Sequence, residues 1–224
     1  MEFLDHVVIA QSVDDFSRIH EPNINLIILP RDENNAVKKF FEEIHKRFAN
    51  QNTSSYFYEC FPDDIFKPRL DHHFQDVRNL EGCEEAVNDL TCLADSFRKI
   101  SRRNQRYHQM YIDLALLGEV NDTPAFHTDK VELRLICTYL GRGTEWVSND
   151  NVNRESLTNG EDINSRIRDQ SKIYQIKPFW VALMKGELYV GNRGREIIHR
   201  SPNLGDKDLS RVRYRITSTP SNYK

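Results

Sequence analysis

The stretch Pro124-Ala125-Phe126-His127-Thr128-Asp129-Lys130-Val131-Glu132-Leu133-Arg134-Leu135-Ile136-Cys137-Thr138-Tyr139 holds the residues best suited to chemistry. Read as one extended strand, it sends alternate side chains to opposite faces. His127 and Asp129 then share a face with Val131, Leu133, Leu135, Cys137 and Tyr139, while Lys130, Glu132, Arg134 and Thr138 turn toward water. An imidazole and a carboxylate on an inward face are costly unless they are paired, hydrogen-bonded or bound to a metal. Two histidines and one carboxylate on one side of an octahedral Fe(II) leave the opposite positions open for a co-substrate and O₂. The third ligand must come from elsewhere in the chain.

Of the other histidines, His199 in Arg195-Glu196-Ile197-Ile198-His199-Arg200-Ser201-Pro202 has the apolar context of a short strand that ends at a proline. His6 and His20 lie in the N-terminal segment, His45 falls on the polar side of a helical pattern, and His72-His73 adjoin loop-like sequence. His108, which opens the strand before the motif, is the rival to His199. The metal-free alternative is a buried hydrogen-bonded network of His127, Asp129 and His199, and a His-x-Asp pair by itself occurs often by chance.

A 2-oxoglutarate co-substrate at such an iron needs a cation for its far carboxylate, and the planar fork of arginine suits this best. In Arg211-Val212-Arg213-Tyr214-Arg215-Ile216-Thr217 the arginines share one strand face with Thr217, opposite Val212, Tyr214 and Ile216. Arg213 is the first choice for the anion, with Arg211 and Arg215 as alternatives and a solvated strand face as the bland reading. Tyr139 shares the predicted face of His127 and Asp129 and is a further co-substrate candidate. Gly141-Arg142-Gly143-Thr144-Glu145-Trp146 reads as a turn that closes the metal strand and lines the site; it lacks the Gly-Lys-Ser/Thr ending of a phosphate cradle. Lys185-Gly186-Glu187 and Gly191-Asn192-Arg193-Gly194 read as hairpin turns. No serine or cysteine stands beside a His-carboxylate pair in a nucleophile motif.

These groups need a scaffold, and the sequence supplies one in two halves. Residues 23–30 form a β-branched run closed by Pro30, the pattern of a buried strand. Residues 35–49 place Val37, Phe40, Phe41, Ile44 and Phe48 at helical steps, and a second helix over residues 81–101 does the same through Ala86, Val87, Leu90, Leu93, Ala94, Phe97 and Ile100. Between them, residues 61–69 carry Pro62 and Pro68 and predict a loop or a short irregular strand. From Tyr107 onward the runs have strand length, at residues 111–117, 126–139, 179–184 and 212–217. The polar residues 148–171 read as a long surface loop of the kind that covers sites.

With 224 residues, 29% charged and 38% hydrophobic, the chain predicts one domain with a substantial core, changing layer rather than hinging near residue 105. Lys and Arg total 31 against 34 Asp and Glu, a net charge of -3, so no overall basic field draws it to nucleic acid or an anionic membrane. No apolar run is long enough for a signal peptide or a membrane span, which predicts a cytoplasmic address. Cys60, Cys83, Cys92 and Cys137 lack Cys-x-x-Cys spacing and read as reduced, mostly buried thiols.

Phe126-His127-Thr128-Asp129, Leu133-Arg134-Leu135, Cys137-Thr138-Tyr139, Gly141, Gly143-Thr144-Glu145-Trp146, Lys185-Gly186 and His199-Arg200-Ser201-Pro202 together resemble the bacterial family known as domain of unknown function 1826. The resemblance runs from about residue 25 to residue 217 and is weaker toward the N-terminus. It implies the layout of the 2-oxoglutarate and Fe(II)-dependent oxygenases, with His-x-Asp, distal His and basic residue falling on His127, Asp129, His199 and Arg213. It implies an α+β fold: a double-stranded β-helix of jelly-roll or cupin type over residues 106–218, with N-terminal helices from a mixed part, residues 1–105, packed on one sheet. The gap from His199 to Arg213 is longer than in many such oxygenases, with Arg211 and Arg215 flanking the choice.

The leading reading is therefore a hydroxylase-type dioxygenase whose substrate, a small molecule or a protein, the sequence does not name. The second is a non-catalytic metal-binding β-helix protein linked to metal homeostasis. A zinc hydrolase with an open water position is chemically allowed but lacks a separate general base.

Overall fold

The computed structural model describes residues 4–48, 55–60, 66–101, 107–115, 125–154, 167–202 and 211–220. The N-terminal part supplies β1 (Val7–Ile9), β2 (Leu26–Leu29), α1 (Asn35–Phe48), β3 (Ser55–Cys60), α2 (Phe66–His73) and α3 (Cys83–Ser101). A 3-10 helix, Val13–His20, joins β1 to β2 and is closed at its start by a Ser12 and Asp15 capping box. The rest supplies β4 (Tyr107–Ala115), β5 (Leu133–Leu140), β6 (Glu145–Val147), β7 (Ile173–Gln175), β8 (Val181–Lys185), β9 (Ile198–Arg200) and β10 (Arg211–Thr219).

Both long helices form where their periodicity predicts. The Asn34 side chain accepts from the Ala36 and Val37 amides at 3.0 and 3.2 Å, satisfying donors that the first turn of α1 leaves open. Helix α3 carries Glu84 and Glu85 in its first turn and Arg98 and Lys99 in its last, as the helix dipole favours. The proline-bearing stretch differs from expectation: residues 66–69 open helix α2, with Pro68 in the first turn, where its missing N–H costs nothing. Residues 61–65 lie outside the described residues.

The strands form a seven-stranded sheet in the order β1-β2-β8-β5-β10-β4-β3 and a three-stranded sheet in the order β7-β6-β9. Only β1 and β2 pair in parallel; the remaining described pairings are antiparallel. One face of the large sheet, with Leu133, Leu135, Val181, Leu183, Val212, Tyr214 and Ile216, packs on Phe40 and Phe41 of α1 and Leu90 and Phe97 of α3. The other face buries Leu26, Ile28, Ile136, Ala182 and Met184 against Trp146 of the small sheet. A third cluster of Phe126, Val147, Val152, Ile167 and Ile198 covers the far side of the small sheet.

The architecture is α+β, with helices laid on a many-stranded sheet. Neither described sheet closes on itself, so the expected double-stranded β-helix is met by two distinct sheets rather than by a closed barrel. The loop expected over residues 148–171 is tied down at both ends: Val152 bridges Ile167, and the Arg154 guanidinium pairs with Glu196 at 3.2 Å. Residues 155–166 lie outside the described residues. Among the described residues, no helix is long and apolar enough to cross a membrane. Cys83, Cys92 and Cys137 are free thiols; Cys83 and Cys137 are buried, and Cys92 is exposed on α3.

Candidate metal centre

The motif is not one continuous strand. His127 makes an isolated antiparallel bridge to His199, and regular strand begins only at Leu133. Between them the chain bends over residues 130–132. That bend inverts the parity expected downstream of Asp129. Leu133, Leu135, Cys137 and Tyr139 face the helices, whereas Arg134 and Ile136, with His127, line a cleft between the sheets.

Backbone contacts hold the bend in place. The amides of Gly186, Glu187 and Leu188 donate to the carbonyls of Glu132, Asp129 and Val131 at 2.9, 2.9 and 3.0 Å. Gly186 is required by proximity, since a Cβ there would lie 2.3 Å from the Val131 oxygen and 2.7 Å from that of Asp129. The Thr128 hydroxyl donates to the Glu187 carboxylate, turning the middle residue of His-x-Asp away from its neighbours. Lys185-Gly186-Glu187 thus clamps the candidate ligand loop and is more than a hairpin turn.

His127 and His199 face each other directly, exchanging backbone hydrogen bonds of 2.9 and 3.0 Å, which sets their ring centroids 4.6 Å apart. Each ring places Nδ1 on the carbonyl two residues back, His127 on Ala125 at 3.1 Å and His199 on Ile197 at 3.2 Å. A carbonyl only accepts, so Nδ1 carries a proton in both rings, and in the neutral form of each ring Nε2 presents a lone pair. Those atoms point at Asp129: His199 Nε2 lies 3.2 Å from Oδ2 and His127 Nε2 lies 3.8 Å from Oδ1. The ligating atoms of the three residues all fall within 4.8 Å of one another.

The electrostatics match this arrangement. Burial, followed by the neighbouring His199, pushes the His127 pKa down and keeps its imidazole neutral. Burial pushes the Asp129 carboxyl up, but the positive charge that faces it, from His199 in its protonated form and from Arg134, outweighs burial and holds the group well below the usual carboxylate range. Arg134 reaches Asp129 Oδ1 at 2.7 Å, with both side chains largely buried. Three lone-pair donors in a low-dielectric site repel one another unless a cation lies between them, so the donor set fits a divalent metal.

The cleft is rich in arginine. Arg134, Arg200, Arg213 and Arg215 line it, with the hydroxyls of Thr144 and Ser201. Its cavity volume is about 30 Å³. The arginine face of β10 is not solvated: Arg211 is 1% and Arg213 8% exposed. Arg211 donates to Ser201 Oγ at 2.9 Å and Thr144 Oγ1 at 3.2 Å, and Arg213 reaches the same Ser201 oxygen at 3.5 Å. The Gly141–Trp146 turn does reach the site, through Thr144.

Tyr139 is a correction. It faces the helix layer, stacks on Phe41 at 4.7 Å, and donates to Asp89 at 2.5 Å, away from the cleft. The strand bulges there, since Val212 pairs with Leu140 and Arg213 with Thr138. His108 lies in β4 opposite Ser218; its side chain is outside the described residues. His6, His20, His45, His72 and His73 join no ligand cluster among the described residues. Two of the cleft arginines were not legible in advance. Arg134 was hidden by the false parity, and Arg200, which pairs with Glu145 at 2.7 Å and lies 4.2 Å over the Phe126 ring, follows His199 on a strand too short to show a pattern.

Fold and site together define an α+β protein with a two-histidine, one-carboxylate constellation between its sheets. The chain belongs to the family described as protein of unknown function DUF1826, whose model matches residues 10–214. No curated protein matches it. Solved structures with a similar course include the dioxygenase for auxin oxidation from rice, at 13% identity and a TM-score of 0.43, covering 93% of this chain and 79% of that one. Others are the Arabidopsis thaliana dioxygenase for auxin oxidation 1 in its 2-oxoglutarate complex, at 12%, 0.43, 97% and 92%, and a bsmA homologue from Methylobium petroleophilum, at 11%, 0.42, 99% and 98%. The candidate metal centre stands on this chain's own side chains.

Proposed function

We propose that the protein is a non-haem Fe(II)- and 2-oxoglutarate-dependent oxygenase of the hydroxylase type, acting as a single domain in the cytoplasm. The observation that carries this reading is the convergence of two Nε2 lone pairs, fixed by Nδ1 bonds to carbonyls, on the Asp129 carboxylate. His127, Asp129 and His199 would hold the metal. Bound there, Fe(II) supplies the activation of O₂, with 2-oxoglutarate oxidised to succinate and CO₂ and one oxygen atom delivered to a substrate C–H bond. The chain's part is to hold and orient. Ala125 and Ile197 fix the tautomers, and Arg213, steadied by Ser201, receives the far carboxylate, with Arg215 beside it on the cleft wall and Arg211 bound to Ser201 and Thr144 behind. Mixing the metal-free protein anaerobically with Fe(II) and 2-oxoglutarate should give a weak visible charge-transfer band that Arg213→Met diminishes. Intact iron binding without any band in the wild type would refute the co-substrate.

The small enclosed volume favours a second reading, a metal-binding protein without turnover. In that case zinc copurifies in stoichiometric amount, 2-oxoglutarate does not bind, and His127→Ala lowers stability rather than turnover.

A further inference from the structure

The proposed centre uses one carboxylate, and a carboxylate has two oxygens. If both reached the metal, Asp129 would consume a position that a co-substrate or water needs. The two oxygens of Asp129 are not equivalent. Oδ1 is held by Arg134 Nη1 at 2.7 Å and stands 3.8 Å from His127 Nε2, whereas Oδ2 stands 3.2 Å from His199 Nε2. The Arg134 side chain is 14% exposed and that of Asp129 9%, so their contact is an ion pair largely shielded from water. Arg134 is itself fixed within the large sheet, paired with Thr217 of β10 on one side and Met184 of β8 on the other.

We infer that Arg134 is a positioning residue which occupies Oδ1 and so restricts Asp129 to one-oxygen ligation, keeping an extra position open on the metal. The inference rests on the metal reading of the triad and not on 2-oxoglutarate. A cation this close to the site also repels a bound metal, so metal affinity is an ambiguous readout. The number of open positions is the direct one. An octahedral ion with three protein ligands retains three exchangeable positions; a second Asp129 oxygen reduces these to two.

The test uses Mn(II) alone as the probe, with metal-free full-length protein, and measures water-proton relaxivity per bound Mn(II). Arg134→Met, which keeps the stem but no donor, should lower the relaxivity by about a third, following the loss of one of three exchangeable positions. Arg134→Lys, which restores a cationic donor, should bring it back toward the wild-type value. Circular dichroism checks each variant, and Arg134→Leu, which likewise carries no donor, takes the place of Arg134→Met should the latter not fold. Equal relaxivity in wild type and Arg134→Met overturns the inference, as does an equal decrease in Arg134→Lys. Failure of the wild type to bind Mn(II) overturns the metal reading beneath it.

Discussion

At the scale of single residues, the centre depends on which way protons point. His127 and His199 would be ordinary buried histidines if their Nε2 atoms held the protons, since each could then donate to Asp129. Hydrogen bonds from Nδ1 to Ala125 and Ile197 leave Nε2 without a proton in the neutral form of each ring, and the same backbone exchange that pairs the two residues aims both rings at one carboxylate. Tyr139 is the opposite case, a polar residue that resembles a ligand in sequence and serves the core. Its phenol donates to Asp89, which also pairs with Arg31 at 2.6 Å, and burial pushes its pKa far above the ordinary value, so it stays neutral. Tyr139→Phe should destabilise the fold by about 1.5 kcal/mol, the contribution of a hydrogen bond to a charged partner. Metal binding should be unchanged. Chemical denaturation with a parallel metal titration separates the two roles, and a variant of full stability with weakened metal binding would return Tyr139 to the site.

At the scale of elements, the ligand loop is shaped from outside itself. Residues 129–132 take their course from three amides of the turn after β8, and that close approach tolerates only glycine at position 186. Gly186→Ala should cost about 1–3 kcal/mol through overpacking and weaken metal binding at least tenfold by displacing the Asp129 backbone. Calorimetric titration of the metal-free variant checks it, and wild-type affinity would show that the clamp does not set the ligand geometry. This is also where sequence reading reached its limit. The helical faces of α1 and α3 were legible because their periods repeat over many residues. The His-x-Asp pair and His199 were legible as residue types in apolar strands. The side on which Arg134 falls was not, because period-two parity counts correctly only within an unbroken strand, and this one breaks through contacts made by residues 186–188, far along the chain. The edge strand β1, of three residues, and the polar 3-10 helix between β1 and β2 are likewise too short or too polar to declare themselves without the sheet they join.

At the scale of the whole molecule, the candidate ligands sit where the two sheets meet. His127 pairs with His199 of β9 in the small sheet, and Asp129 follows on the bend that leads into β5 of the large one. A metal held by all three would tie the two sheets together at the mouth of the arginine-lined cleft, so metal binding and sheet packing are linked. A core of eight buried side chains also joins the two sheets. Titration of the metal-free protein with Co(II), followed by the growth of its visible absorption, bears most directly on this account. One equivalent is expected for the wild type and none for His199→Ala. No binding by the wild type, or the same single equivalent in His199→Ala, would contradict the assignment of the triad as a metal centre.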